Sequence, residues 1–226
     1  EIVNHCFSSC NLIDSIIIPN NIESIGDYAF SGCSSITQME IPSSVNKIGV
    51  VAFQNCSSLQ KILIPSSIEN INDGTFFSCT SLNEIIFDTN SILKNIRYKA
   101  FFGCSSLTRI EIPSSVIFIS DNAFQECIKL NEIKIPSSVK KIGNNAFDGC
   151  SSLKNIVFEY PSSLVSIGDG AFQKCSSLIK IDIPSSVKSI GYFAFNDCSS
   201  LLHVTIPSSA FLDNIGINPK VNIIKI

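Results

Sequence analysis

A cysteine recurs every 23 or 25 residues along most of this chain of 226 residues. Each of these cysteines lies three residues after a phenylalanine, and an aliphatic residue or methionine follows six residues later. An interval kept over nine units indicates stacked structural repeats, because such a unit buries its apolar side chains only against its neighbours. The nine cysteines are Cys10, Cys33, Cys56, Cys79, Cys104, Cys127, Cys150, Cys175 and Cys198.

The unit that contains Cys56 predicts the local structure of all nine. Residues 59–64 end in the apolar alternation of a short strand, and Pro65, which has no N–H to donate, stops that strand. The Ala-Phe-x-x-Cys spacing in residues 50–56 predicts one or two helical turns. Neighbouring units then form one parallel sheet from strands near Ile13–Ile18, Ile36–Ile41, Leu59–Ile64, Leu82–Phe87, Leu107–Ile112, Leu130–Ile135, Leu153–Phe158, Leu178–Ile183 and Leu201–Ile206.

The whole pattern reads C-x-x-L-x-x-I-x-I-P-x-x-V-x-x-I-G-x-x-A-F-x-x-C, and it resembles the BspA-type leucine-rich repeat. The resemblance covers essentially the whole chain. It implies an α/β fold, an arc-shaped leucine-rich-repeat solenoid wound as a right-handed β-α superhelix, with helical turns and return arms opposite the sheet. Members of this family are typically surface proteins of anaerobic bacteria and mucosal parasitic protists, associated with adhesion to host cells and extracellular-matrix proteins.

Two units and both ends depart from the pattern. The loops after Phe87 and Phe158 each hold two extra residues. The chain begins part-way through a unit, which indicates a larger parent protein or a trimmed terminus and leaves an N-terminal edge strand open to pairing with a second copy. After Pro207 the Ala-Phe-x-x-Cys motif is missing. We therefore predict one domain over residues 1–226 of nine units of about 23 residues, with 207–226 as an atypical C-terminal cap.

Composition and motifs disfavour several classes of function. The net charge of −3 does not favour a nucleic-acid surface, and no apolar run reaches the ~18 residues needed to span a bilayer. His5 and His203 are the only histidines, and neither stands in a pattern typical of a catalytic triad. We expect no enzyme activity, no metal and no cofactor. One cysteine per unit at constant register predicts a buried column of reduced thiols, in preference to disulfides or a zinc site.

The outward positions of strands five and six predict a binding surface. Arg109, Glu111, Glu132 and Lys134 form a polar floor there, and the two widened loops beside it contribute Asp88 and Tyr160. Tyr and Arg are frequent hot-spot residues in protein interfaces. Two alternatives stay open: the four charges pair with one another across strands, and the loops are neutral insertions. Phe77 and Phe102 occupy equivalent positions on the opposite side and are a second candidate surface.

Two functions follow from these expectations. The first is a surface or secreted adhesion module that binds a host-cell or extracellular-matrix protein, which rests on the family resemblance. The second is a cytoplasmic scaffold that binds a partner protein on its sheet, which unpaired cysteines favour. The open N-terminal edge also predicts a homo-oligomer.

Overall fold

The computed structural model describes residues 1–212 and 214–226, and within them seventeen short strands follow one another with no helix between them. In chain order these are β1 Ser24–Ile25, β2 Gln38–Glu40, β3 Lys47–Ile48, β4 Lys61–Ile64, β5 Asn70–Ile71, β6 Glu84–Phe87, β7 Asn95–Ile96, β8 Phe118–Ile119, β9 Glu132–Ile135, β10 Lys141–Ile142, β11 Asn155–Phe158, β12 Ser166–Ile167, β13 Lys180–Asp182, β14 Ser189–Ile190, β15 His203–Ile206, β16 Phe211–Leu212 and β17 Asn222–Lys225.

The strands build two parallel ladders on two sides of a stack of coils. The strand face carries the three- and four-residue strands, grouped as β2-β4-β6, β9-β11 and β13-β15-β17. The narrow face carries the two-residue strands, grouped as β1-β3 and β5-β7-β8-β10-β12-β14-β16. Each unit therefore contributes one turn of a solenoid. Neighbouring units pair in the predicted register, so that Lys61 lies opposite Glu84 and Glu132 lies opposite Asn155.

The strand face is interrupted, which differs from the expected continuous sheet. Within the described residues, no strand pairing or backbone hydrogen bond joins β6 to residues 109–112, or β11 to β13. Residues 109–112 keep only an isolated bridge from Glu111 to Lys134, and residues 13–18 form no strand. Both internal breaks follow a unit with a widened loop. The two extra residues after β6 and β11 change the path between units, and the strand ladder does not continue across that step.

The predicted helical turns are wrong, because the Ala-Phe-x-x-Cys segments are linked tight turns. Every unit has two residues with positive φ, one directly before the alanine position of the motif and one directly before its cysteine. In one unit these are Val51, at 50°, and Asn55, at 58°. An α-helix cannot contain left-handed residues at such positions. Each turn is closed by a backbone N–H that donates to the carbonyl three residues earlier, as Cys56 N does to Phe53 O at 3.2 Å. Other N–H groups of the turn donate to the next unit, as Phe53 N does to Thr75 O at 2.9 Å.

One hydrophobic core runs through the stack, and the predicted phenylalanine column is confirmed. The rings of neighbouring units are nearly parallel, with centroids 5.2–5.8 Å apart. Beside them the eight cysteines from Cys33 to Cys198 are buried, while Cys10 is half-buried and Cys6 is exposed. Each buried Sγ donates to a phenylalanine carbonyl of the preceding unit, for example Cys127 to Phe101 O at 3.2 Å. The thiols therefore have hydrogen-bond acceptors as well as apolar surroundings.

The C-terminal segment extends both ladders. β16 pairs with β14, and β17 pairs with β15 so that Ile223 lies opposite Val204. Ile223 is nevertheless 44% exposed, because no further unit covers it within the described residues. The cap over residues 207–226 and the single-domain organisation remain predictions.

Five glycines on the narrow face, each directly before an Asp, Asn, Val or Tyr, mark a close contact between neighbouring coils. The backbone N–H after the glycine donates to Oδ1 of the Asp or Asn in the preceding unit, at 2.8 or 2.9 Å. A Cβ on Gly168 would lie 2.5 Å from Asn144 Oδ1 and 2.6 Å from Gly143 C. The hydrogen bond and a side chain therefore compete for the same space. The five glycines are Gly26, Gly49, Gly143, Gly168 and Gly191.

Gly168→Ala is expected to lower the free energy of unfolding by about 1–3 kcal/mol, because the added methyl group displaces Asn144 and overpacks the contact. Urea denaturation monitored by circular dichroism measures this change. Ser120→Ala is the matched control, since residue 120 occupies the same place in its unit and already carries a Cβ. Equal stability of Gly168→Ala and the wild-type protein would contradict this account of the contact.

Candidate functional site

The four charged residues predicted from the sequence lie together on the strand face. Arg109 and Glu111 project from residues 109–112, and Glu132 and Lys134 project from β9 in the next unit. All four are exposed, whereas the intervening Ile110 and its equivalents are buried, as expected for alternating side chains. The isolated bridge sets Glu111 directly opposite Lys134.

Lys134 forms its ion pair with Glu159, a residue that sequence reasoning left out of the site. Lys134 Nζ lies 2.6 Å from Glu159 Oε1, and Ser137 N donates to Glu159 Oε2 at 3.2 Å. These contacts raise the pKa of Lys134 and lower the pKa of Glu159, because each stabilises the charged form. Glu159 stands in the second widened loop, next to Tyr160. The sequence signal that could have added Glu159 to the site is its position in this loop, directly before Tyr160.

Three of the four charges have no salt bridge within the described residues: Arg109, Glu111 and Glu132. The alternative in which the four charges pair with one another is therefore not what the structure contains. The neighbouring pair is present, since Lys61 Nζ lies 3.0 Å from Glu84 Oε2. Within the described residues, such cross-strand ion pairing is therefore present before the break after β6 and not found among the four charges beyond it.

Two shallow pockets flank residues 109–112. One, of about 570 Å³, lies at the break between β6 and these residues and is lined by Asp88, Arg109 and Glu111 among others. The second, of about 430 Å³, lies over β9 and includes Arg109, Glu111, Glu132, Lys134 and Glu159. We call this region, residues 84–91 with 109–114, 132–136 and 157–160, the strand-face site.

The two loop residues of the prediction occupy different surroundings. Asp88 is half-buried, and its Oδ1 accepts the N–H of Thr89 at 2.8 Å, which orders the first widened loop. Tyr160 is 96% exposed and lines neither pocket. The structure therefore places Asp88 beside the charged floor and leaves the Tyr160 ring free at its edge.

The remaining sequence candidates lie away from this surface. Phe77 and Phe102 stack at 4.8 Å and are half-buried, with Lys99 Nζ 5.4 Å from the Phe102 ring. His5 stacks on Tyr28 at 4.6 Å, and His203 projects from β15. The described residues contain no group of three or more His, Cys, Asp or Glu suited to a metal ion. No helix long and apolar enough to cross a membrane occurs among them either.

A family model describes most of the chain. The model of the BspA type leucine rich repeat region matches six copies over residues 1–130 and 94–218. The chain belongs to the BspA-type leucine-rich repeat family. Leucine-rich repeats generally mediate protein binding, so the family supports a protein-interaction module at this general level.

Solved structures resemble this BspA-type chain as well. A leucine-rich repeat protein of T. pallidum is 32% identical, with a TM-score of 0.65, and the match covers 71% of this chain and 76% of that chain. A leucine-rich repeat protein of Bacteroides ovatus is 24% identical, with a TM-score of 0.55, over 99% of this chain and 80% of that chain; this likeness concerns the fold alone. Comparison with curated proteins found no match.

Proposed function

We propose that this chain is a non-enzymatic adhesion module at the cell surface, or secreted, and that the strand-face site contacts a host-cell or extracellular-matrix protein. The observation that carries the proposal is the cluster of Arg109, Glu111 and Glu132, which are exposed, lie beside two pockets and have no ion pair within the described residues. Charged groups of this kind form pairs with a partner without first breaking an internal contact. Tyr160 provides exposed amphipathic area at the edge.

The break after β6 supports the choice of this region. Residues 109–112 are bonded to β9 only through the Glu111 bridge and have no backbone hydrogen bond to β6 within the described residues. Backbone polar groups that lack a partner in the protein bind water or a ligand. The pocket of about 570 Å³ at this break gives a partner access to them.

The proposal is tested by binding to immobilised collagen, laminin and fibronectin, followed by Arg109→Glu, Lys134→Glu and Tyr160→Ala. We expect at least one variant to bind about tenfold more weakly, equivalent to 1.4 kcal/mol, with unchanged circular dichroism. Lys61→Glu is the matched control, because Lys61 also forms a strand-face ion pair but lies outside the site. If the three variants fold normally and each changes the dissociation constant by less than about twofold, the contact site is elsewhere.

The alternative is an intracellular scaffold that binds a partner protein on the same strand face. It is favoured by the eight buried cysteines, since unpaired thiols are typical of reducing compartments. Thiol titration of the denatured, non-reduced protein tests the scaffold: several disulfides would exclude it, whereas ten free thiols would agree with either function. Antibody labelling of intact cells, without permeabilisation, then decides between them.

We also propose that two copies of this chain associate through the first unit. Leu12 and Ile17 in the first unit are 92% and 91% exposed, and a second copy would cover them. We expect dimers or end-to-end contacts in light scattering. A strict monomer at high protein concentration would contradict this part.

A further inference from the structure

Another pocket, distinct from the strand-face site, opens on the narrow face at β7, β8 and β10. Its volume is about 570 Å³, and the side chains used in this argument are Asp73, Asn95, Arg97, Tyr98, Phe118 and Lys141. We propose that this pocket, the narrow-side pocket, binds a neutral saccharide.

The pocket opens because the tight glycine contact is missing there. Asn72, Arg97 and Ser120 occupy the places that glycine holds in five other units. At each of those glycines an added Cβ would lie against the Oδ1 that accepts the hydrogen bond between coils. Arg97 carries a Cβ at that place, and within the described residues no hydrogen bond joins the N–H of Tyr98 to the Asp73 carboxylate.

Asp73 is consequently available to a ligand. It is exposed, and within the described residues its carboxylate has no hydrogen bond or ion pair. The backbone around it is still ordered, because Gly74 N donates to Tyr98 O at 2.8 Å. The next carboxylate, Asp121, returns to the repeat pattern and accepts Asn144 N at 2.8 Å. The interruption is therefore local to the pocket.

Two aromatic rings complete the pocket. Tyr98 is 45% exposed and Phe118 is 43% exposed. In most two-residue strands of the narrow face the first residue, which points outward, is Ser, Asn or Lys. It is aromatic in β8, where it is Phe118, and in β16, where it is Phe211. Lys99 Nζ lies 5.0 Å from the Tyr98 centroid, and this cation–π contact holds the tyrosine ring.

The chemistry of these groups favours a saccharide over a charged ligand or an apolar segment. Asp73 and Asp121 balance Arg97 and Lys141, so the pocket has no net charge to attract an ion. The Asp73 carboxylate offers acceptors to adjacent hydroxyls, and the Arg97 guanidinium offers donors. Asn95 Nδ2 already donates to Asn70 Oδ1 at 2.6 Å, and one guanidinium nitrogen of Arg97 lies 3.5 Å from the same oxygen, which leaves the other donors of Arg97 for a ligand. Exposed aromatic rings pack against the apolar C–H face of a ligand, and the polar groups beside them fix the orientation of that ligand. A pyranose ring combines an apolar face with a rim of hydroxyls.

The experiment is an array of neutral oligosaccharides built from glucose, mannose, galactose and N-acetylglucosamine, followed by titration of the ¹⁵N-labelled chain with the strongest binder. We expect saturating shifts at the amides of Tyr98, Phe118 and Ile119. Phe118→Ser should weaken binding at least about tenfold, because it removes one ring while inserting the residue found at Ser166 and Ser189. Phe211→Ser is the matched control, since Phe211 occupies the same place in the narrow face but lies outside the pocket.

Arg97→Gly provides an independent variant. The glycine leaves room for Asp73 to accept the Tyr98 N–H, so the pocket should close and saccharide binding should be lost without a fall in Tm. The proposal is overturned if no array member shifts these amides, or if binding survives both Phe118→Ser and Arg97→Gly. A response of the same amides to a Tyr- and Pro-containing control peptide, with none to saccharides, would also overturn it. None of these outcomes bears on the strand-face site, which is probed by protein ligands and other residues.

Discussion

Phe101→Ala is expected to lower the free energy of unfolding by about 3–5 kcal/mol. Phe101 is fully buried, and its ring lies between those of Phe76 and Phe124, at 5.4 and 5.2 Å. Alanine would leave a cavity that neighbouring coils cannot fill, because each ring of the column belongs to a separate unit. In a stack of repeats such a defect also weakens both nearest-neighbour interfaces.

Equilibrium urea unfolding measures this loss. Phe118→Ala is the control, because Phe118 is 43% exposed and its removal is expected to cost about 1 kcal/mol or less. A loss below about 1 kcal/mol for Phe101→Ala would mean that the phenylalanine column does not stabilise the stack.

Raising the pH from 7 to 10 is expected to unfold the protein. Burial raises the pKa of the seven thiols from Cys56 to Cys198, to about 12 for Cys56 and Cys198. The unfolded thiols ionise near pH 9 while the folded ones stay protonated, so their contribution to stability is complete below pH 9 and is lost as the pH rises. At pH 10 each thiol then costs about 1.4 kcal/mol, or on the order of 10 kcal/mol for seven, comparable with the stability of a whole domain.

The measurement is the free energy of unfolding between pH 7 and pH 10.5. A Cys104→Ala/Cys127→Ala variant separates the thiols from lysine and tyrosine titration, which it leaves unchanged. We expect the variant to be less stable at pH 7, where two buried thiols are missing, but to lose about 2.7 kcal/mol less per pH unit above pH 9.5. The same slope in both proteins would contradict the assignment to the cysteines.

The repeat pattern predicted the candidate site only in part. The alternation within residues 107–112 and 130–135 was enough to place Arg109, Glu111, Glu132 and Lys134 on one face, because the side-chain period of a strand is fixed. The ion pair of Lys134 with Glu159 depended on the path of the second widened loop. That loop holds two residues more than the repeat, so the repeat pattern does not give its path. The pairing of Lys134 with Glu159 is therefore known only from the folded chain.

The narrow-side pocket was not predicted from the sequence. Arg97 replaces the glycine of the repeat pattern, and Asp73 lies 24 positions before it, but the pattern alone does not show what that replacement changes. Their importance follows from the glycine contact between coils, where a Cβ and a hydrogen bond exclude each other. That contact is a property of stacked backbones and not of one unit.

The sequence alone determined the register of the coils, the buried phenylalanine and cysteine columns, and the outward rows of the strand face. All of these depend on side chains that recur at a constant interval, so each unit repeats the same burial. The tertiary structure decided three things: tight turns with left-handed residues in place of helices, the breaks of the strand ladder after β6 and β11, and the partners of individual charges. The physical reason is that these features arise between coils, from backbone hydrogen bonds and close contacts to the neighbouring unit, which a pattern of residue types does not encode.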